Sequence, residues 1–368
     1  MQTYQIPQSQ ILKQLCTNTS KQIIEKATDF KNRKLVIFCA GPSGQQFYKT
    51  MLDDYGIEAE FFIDNNSRIA GNSIFGKPVK YRPWEAMSEF IHKYYIITAS
   101  SWSNHYQIAE QLDSLGMSEH MSFYSFLTAK IMPRYLTIAD MLYDEMSRCS
   151  YLASIYNFMT NDNQFVQYAG EQYFSHPKFA KLGEDIIVDA GAYVGDSTEA
   201  VITRSNGHCK VYLFEPYEEV HKAIYARKER WCKEWNMDSE RIILVPAGLS
   251  STTQNISMYT IGIDAIPFLH KISNGGTSVP AYSLDDFFKD KASPTFIKAD
   301  IEGSELDMLK GAKNILMNHK PLLAISIYHS PQEMASIAEY LASLQCGYKF
   351  DVRNHTTYWA DTILYCWI

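Results

Sequence analysis

A short apolar run that ends on an acid and turns through two glycines into a helix, IIVDAGAYVGDST at residues 186–198, leaves this chain few folds to choose from. Ile186 to Val188 read as a strand, Asp189 marks its end, and a helix is expected from about Asp196. Gly191 and Gly195 let the backbone turn tightly and approach a ligand, and the turn delivers a helix N-terminus. The next strand, Val211 to Phe214, ends on Glu215, twenty residues after Gly195. In open α/β sheets a ligand lies beyond the carboxyl ends of the strands, where an acid at the second strand end binds ribose hydroxyls. The spacing therefore predicts a nucleotide-type site in a Rossmann-like α/β domain.

The glycines follow Gly-x-x-x-Gly rather than the G-x-G-x-x-G that brings backbone against a pyrophosphate. Asp189 also sets a negative charge where two phosphates would lie, which suits the ammonium and sulfonium of S-adenosylmethionine better than NAD. A third acidic strand end follows in FIKADIEGSE, residues 296–305. Lys298 and Asp300 face one side of that strand, Glu302 lies just past its end, and the strand Leu322 to Tyr328 carries His329 to a neighbouring end. Methyl transfer to an oxygen needs in-line positioning and removal of a proton. His329, with an ordinary pKa of about 6.5, is the expected general base, and Asp300 or Glu302 would orient it or take the proton directly. Plainer roles stand beside these: Asp300 contacting only the donor, Glu302 capping the next helix, Lys298 pairing with an acid. A divalent metal on Asp300, Glu302 and His329 is chemically reasonable, but the spacing matches no recognised metal pattern and none is expected.

From about Glu171 to the C-terminus the chain resembles the FkbM family of S-adenosylmethionine-dependent methyltransferases. The resemblance rests on EQYF at 171–174, VDAGAYVGDS at 188–197, FEP at 214–216, YSLDDF at 282–287, FIKADIEGSELDMLKGA at 296–312, SIYHS at 326–330 and TILYCWI at 362–368. It implies a seven-stranded class I methyltransferase domain over 183–368, with S-adenosylmethionine as cofactor and a hydroxyl of a sugar, glycan or polyketide-like acceptor as the target. It also implies donor contacts from Tyr173 and Phe174 in a lid, from Asp189, Gly191, Ala192, Tyr193, Gly195 and Asp196 in the first turn, and from Glu215, Pro216, Ala247 and Asp300. One departure is the run Arg353, Asn354, His355, where family members often carry Arg-His-Tyr.

The N-terminal part repeats the same logic over residues 1–128. A helical lead, Ile11 to Ala27, precedes a strand at Leu35 to Cys39, a turn through Gly41 and Gly44, a helix from Gln45, and a strand at Ala59 to Ile63 that ends on Asp64. This resembles the small Rossmann-like domain in front of some sugar-modifying enzymes, with GNSIFGKPV at 71–79 as its return to strand. Gly41, Gly44 and Asp64 would hold a nucleotide or sugar nucleotide; alternatively the glycines only let strand and helix pack. Residues 129–182, rich in aromatics and methionine, read as a helical connecting region, and Asn255 to Pro280 as an extra hairpin.

With a formal net charge of −7 and no long basic run, the chain lacks the electrostatic footprint of nonspecific nucleic-acid binding, and no nucleic-acid partner is expected. No apolar run reaches the roughly 18 residues of a membrane helix, and the first residues lack a signal peptide's apolar core. Seven cysteines with no C-x-x-C pair fit free thiols, so a soluble cytoplasmic enzyme that acts on a small-molecule or glycan acceptor, as a monomer or homo-oligomer, is expected. Two other readings remain open: a nucleotide-sugar oxidoreductase or epimerase working through the N-terminal turn, and a noncatalytic sugar-nucleotide binding protein.

Overall fold

Short β-branched and aromatic runs separated by amphipathic helices build two parallel-sheet units. The computed structural model describes residues 8–29, 33–85, 90–100, 102–117, 119–263, 266–270 and 277–368, and of 91, 102–106, 259–263 and 266–270 the backbone alone. One unit comprises Lys13–Pro133 and Phe158–Asp162; the other comprises Met1–Leu12, Arg134–Asn157 and Asn163–Ile368. The stretch 129–182, expected as a separate helical connection, is divided between them, and its helices run over Phe123–Met141 and Glu145–Thr160.

In the first unit the strands are β1 (Lys34–Phe38), β2 (Phe61–Ile63), β3 (Ser73–Ile74), β4 (Lys77–Lys80), β5 (Tyr94–Thr98) and β6 (His120–Ser122), in the order β3-β4-β2-β1-β5-β6. All pairings are parallel except β3 with β4, the hairpin formed by the GNSIFGKPV segment. Val36, Phe38, Phe61, Ile63 and Ile96 pack on one side of this sheet, and Leu35, Ile37, Phe62 and Ile97 on the other. Burial on both faces explains why these strands read as continuous apolar runs.

The second unit contains β7 (Ile186–Ala190), β8 (Lys210–Phe214), β9 (Ile242–Val245), β10 (Gly248–Leu249), β11 (Gln254–Ile263), β12 (Ile266–His270), β13 (Thr277–Tyr282), β14 (Phe296–Ala299), β15 (Leu322–Ser326), β16 (Lys349–Asn354) and β17 (Thr362–Trp367). Seven of them form one sheet in the order β16-β17-β15-β14-β7-β8-β9, in which only β17 runs against its neighbours. Connections leave β7 toward β8 and later return to β14 on its other side, so the strand order reverses between β7 and β14. A crevice opens at such a reversal, beyond the carboxyl ends. The expected hairpin is present as β11 paired antiparallel with β12 and with β13; Asn274, Gly275 and Gly276 lie outside the described residues. The 353–355 departure is structural: Asn354 donates to Ser154 Oγ at 2.6 Å and Thr362 Oγ1 at 2.8 Å, and His355 Nδ1 lies 2.9 Å from the Gly170 carbonyl.

Candidate active site

A cavity of about 430 Å³ lies at the carboxyl ends of β7, β8 and β14, within the range of small-molecule sites. The glycine turn after β7 forms one wall. Gly191, Tyr193 and Gly195 all adopt left-handed conformations, with φ of 76°, 45° and 88°. A Cβ on Gly191 would meet the Asp300 carbonyl oxygen at 1.9 Å, so this position admits only glycine if the ends of β7 and β14 are to touch. The turn is tied to the second strand end. Glu215 accepts from the Tyr193 amide at 2.8 Å through one carboxylate oxygen and from the Tyr217 amide at 2.9 Å through the other. Burial pushes the Glu215 carboxyl above its ordinary range, and these two amides work against that rise.

Of the expected donor contacts, Tyr173, Gly191, Tyr193, Asp196, Glu215, Pro216, Ala247 and Asp300 line the cavity. Ala192 is fully buried, and Phe174 packs edge-on against Phe296 beneath the Arg204 guanidinium. Gly195 lies under Trp231, whose ring a Cβ would approach to 2.7 Å. Asp189 is buried behind the wall and accepts from Ser197 and Thr198 at 2.8 and 2.5 Å. Its other oxygen is 3.0 Å from Lys298 Nζ, an ion pair off the line of a hydrogen bond. The negative charge that the sequence places on the donor is thus met by a lysine. Lys298 also donates to the Ala190 and Gly191 carbonyls at 3.2 and 2.8 Å, and so links β14 to the glycine turn. Burial pulls its ammonium down, but Asp189 and Asp300 more than offset this and hold it above the ordinary lysine value.

The third acidic strand end is more constrained than its spelling suggests. Asp300 accepts from the Tyr173 hydroxyl at 2.7 Å and from the Tyr328 hydroxyl at 3.2 and 3.3 Å, and His329 Nε2 is 3.2 Å away. Burial alone would raise this carboxyl, yet His329, Lys298 and Tyr173 bring it down to about 2. A carboxylate so satisfied and so acidic is a poor proton acceptor, which argues against a direct base role for Asp300. His329 departs from the expectation too. Burial would lower its pKa, but Glu305 and Asp300 raise it well above 6.5, so the imidazole holds a proton at neutral pH rather than waiting to take one. Its side chain is 9% exposed and does not line the cavity. Glu302 does line it, at a left-handed φ of 55°, with its carboxyl raised by burial. It does not cap the following helix, whose N-cap is Ser304.

Asp361 escaped the sequence reading as a wall residue. Asp361, in the turn before β17, lines the cavity, accepts from Gln172 Nε2 at 3.3 Å, and has its carboxyl raised by burial and then by Asp300. Gln172, Tyr328 and the foot of β11, through Gln254, Ile256 and Met258, complete the wall. No local motif marks Asp361, because only the pairing of β17 with β15 brings it near Asp300. In the first unit, Asp64 accepts from the Ala40 amide at 2.9 Å and the Asn66 amide at 2.8 Å, and a Cβ on Gly44 would meet the Cys39 carbonyl oxygen at 1.9 Å. Gly44 there serves close strand–helix packing.

The parallel sheet with one reversed strand, a glycine turn at the order reversal and an acid on the second strand end together define a Rossmann-like methyltransferase fold. Residues 189–350 match the family model described as the methyltransferase FkbM domain, so this part of the chain carries that domain. A solved structure of methyltransferase FkbM from Methylobacillus flagellatus superposes with a TM-score of 0.58 at 20% identity, covering 98% of this chain and 99% of that one. A hexuronic acid methyltransferase of Haloferax volcanii, AglP, is 28% identical over 138 residues, 37% of this chain. The chain spans about half the length of that curated relative, 53%.

Proposed function

We propose that this chain is an S-adenosylmethionine-dependent O-methyltransferase acting on a sugar or glycan-precursor hydroxyl. The observation that carries this reading is charge. Among the described residues lining the cavity, Asp196, Glu215, Asp300, Glu302, Asp307 and Asp361 are acids and Lys298 is the single lysine, itself paired with Asp189. Such a cavity favours a cationic donor and repels a dinucleotide pyrophosphate. The donor set fits: Glu215 suits ribose hydroxyls, the backbone at Ala247 suits an adenine edge, and Asp196 with the cavity-facing side of Tyr173 suits the amino-acid end.

When bound, S-adenosylmethionine supplies an electrophilic methyl group on a sulfonium. The protein's own part is to place an acceptor oxygen in line and to receive its proton. Asp300, held by Tyr173, Tyr328 and His329, acts as a positioning residue that keeps the end of β14 rigid. Asp361 faces the cavity with a carboxyl raised by burial, a shift in the direction that makes a carboxylate a stronger general base. We assign it the hydroxyl proton, which would pass to Asp361 as the methyl group leaves sulfur, giving a neutral thioether, and joins the oxygen. The named relative's hexuronic acid supports a sugar acceptor, and the seven free cysteines support a reducing, cytoplasmic setting.

Calorimetric titration with S-adenosylhomocysteine tests the donor site, and transfer of labelled methyl to hydroxylated glycosides tests the reaction. Asp361→Asn is expected to keep S-adenosylhomocysteine affinity while lowering kcat about 100-fold. Turnover of amine or carboxylate acceptors alone, with no hydroxyl methylated, would overturn the O-methyl assignment.

A further inference from the structure

Behind the acidic end of the cavity lies an imidazole that its neighbours surround without bonding well. His329 Nε2 is 3.2 Å from an Asp300 oxygen and 3.7 Å from a Glu302 oxygen, and Nδ1 is 3.2 Å from a Glu305 oxygen. The ring is nine-tenths buried, yet neither nitrogen makes an aligned hydrogen bond. Glu305 is fully buried; one oxygen accepts from the Ile301 amide at 2.7 Å, and the other has no hydrogen-bond partner. Three carboxylates therefore crowd one ring, while Lys298 is committed to Asp189. The protonated ring offsets one of these negative charges, and a cation that displaced its Nε2 proton would offset more.

The spacing is that of a ligand set. Oxygen and nitrogen atoms about 2.1 Å from one octahedral ion sit about 3 Å apart, close to the separation of His329 Nε2 from Asp300. Ligating histidines hand their second ring nitrogen to a carboxylate, which is where Glu305 lies against Nδ1. Ligand atoms of Asp300, Glu305 and His329 all fall within 4.8 Å of one another, and Glu302 joins this group through one oxygen 3.7 Å from His329 Nε2. Glu302 reaches the cluster from a left-handed backbone at φ 55°, a conformation that costs free energy and gathers at functional sites. Asp300 and Glu302 border the cavity, so water or an acceptor oxygen could fill the remaining positions.

We propose that Asp300, Glu302 and His329 bind one divalent cation of the Mn²⁺ or Mg²⁺ class, with Glu305 fixing the His329 ring from behind. Carboxylate and imidazole donors without a thiol suit these ions. The inference deepens the methyltransferase reading, since a cation here would hold and polarise the acceptor hydroxyl, but the binding site itself stands on the ligand geometry.

The test is titration of the full, metal-stripped chain with Mn²⁺, followed by electron paramagnetic resonance and calorimetry. One Mn²⁺ per chain at micromolar Kd is expected, weakened at least tenfold in both His329→Gln and Glu302→Gln. Glu302 is 40% exposed, so its isosteric replacement keeps the fold and remains informative if the His329 variant does not. Absence of stoichiometric Mn²⁺, or unchanged affinity in Glu302→Gln, overturns the site. Titrating S-adenosylhomocysteine in the same samples separates the two proposals: donor binding without Mn²⁺ removes only the cation, and Mn²⁺ binding without donor supports the cation site while removing the methyltransferase reading.

Discussion

The two glycine turns begin from the same plan and end differently. Each follows a strand at the order reversal of its sheet, and each is tied by a backbone amide to an acid on the next strand end, Ala40 to Asp64 and Tyr193 to Glu215. The first moves from the end of β1 at Phe38 to a helix starting at Pro42, whose ring removes an N–H donor from the helix start. The second takes longer, from Ala190 to Asp196, through three left-handed residues. That extra length forms a lip beside the cavity. An acid-tipped strand and two glycines therefore do not by themselves specify a site; the conformation between them does.

Paired substitutions would break or sharpen this contrast. The largest effect is expected for Gly191→Ala, where the new Cβ overlaps the Asp300 carbonyl and φ is 76°. It should cost about 3 kcal/mol or more and abolish S-adenosylhomocysteine binding, whereas Gly44→Ala should lower thermal stability with donor affinity intact. Equal loss of donor binding in both would end the distinction. Lys298→Met leaves Asp189 buried without its cation; chemical denaturation should register about 3–5 kcal/mol.

A smaller change separates the two tying acids. Glu215→Gln should weaken S-adenosylhomocysteine about 10- to 100-fold by calorimetry, the scale of charged hydrogen bonds, while Asp64→Asn leaves that affinity unchanged. The smallest effect is on pH. Because burial raises the Glu215 carboxyl, the folded chain holds that proton more tightly than the unfolded one, and its burial cost weighs on stability above the raised pKa and eases below it. Donor affinity should move the opposite way, falling as pH drops through a titration above the ordinary glutamate range, and Glu215→Gln should flatten that slope.

Local chemistry made much of this legible. The turns, the three acid-tipped strands of the second unit and the hairpin follow from periodicity, glycine spacing and short motifs. The clamp on Asp300 does not, because Tyr173 lies 127 residues away and its hydroxyl is brought in only by the completed sheet. The same applies to Lys298 and Asp189, on adjacent strands yet distant in sequence. His329 lies beside the acids, but its protonation depends on Glu305, a residue that reads locally as an ordinary start of a helix.

Tyr193 leaves half of its surface in solvent and contributes to the Glu215 tie through its amide, not its ring. Side-chain replacement at 193 that preserves the left-handed turn should thus be nearly silent for that tie, and an alanine scan would pass over one of the site's principal struts. Only an amide-to-ester exchange, which deletes the N–H and keeps the side chain, would expose it. Part of what shapes this cavity is written in main chain, where substitution patterns do not record it.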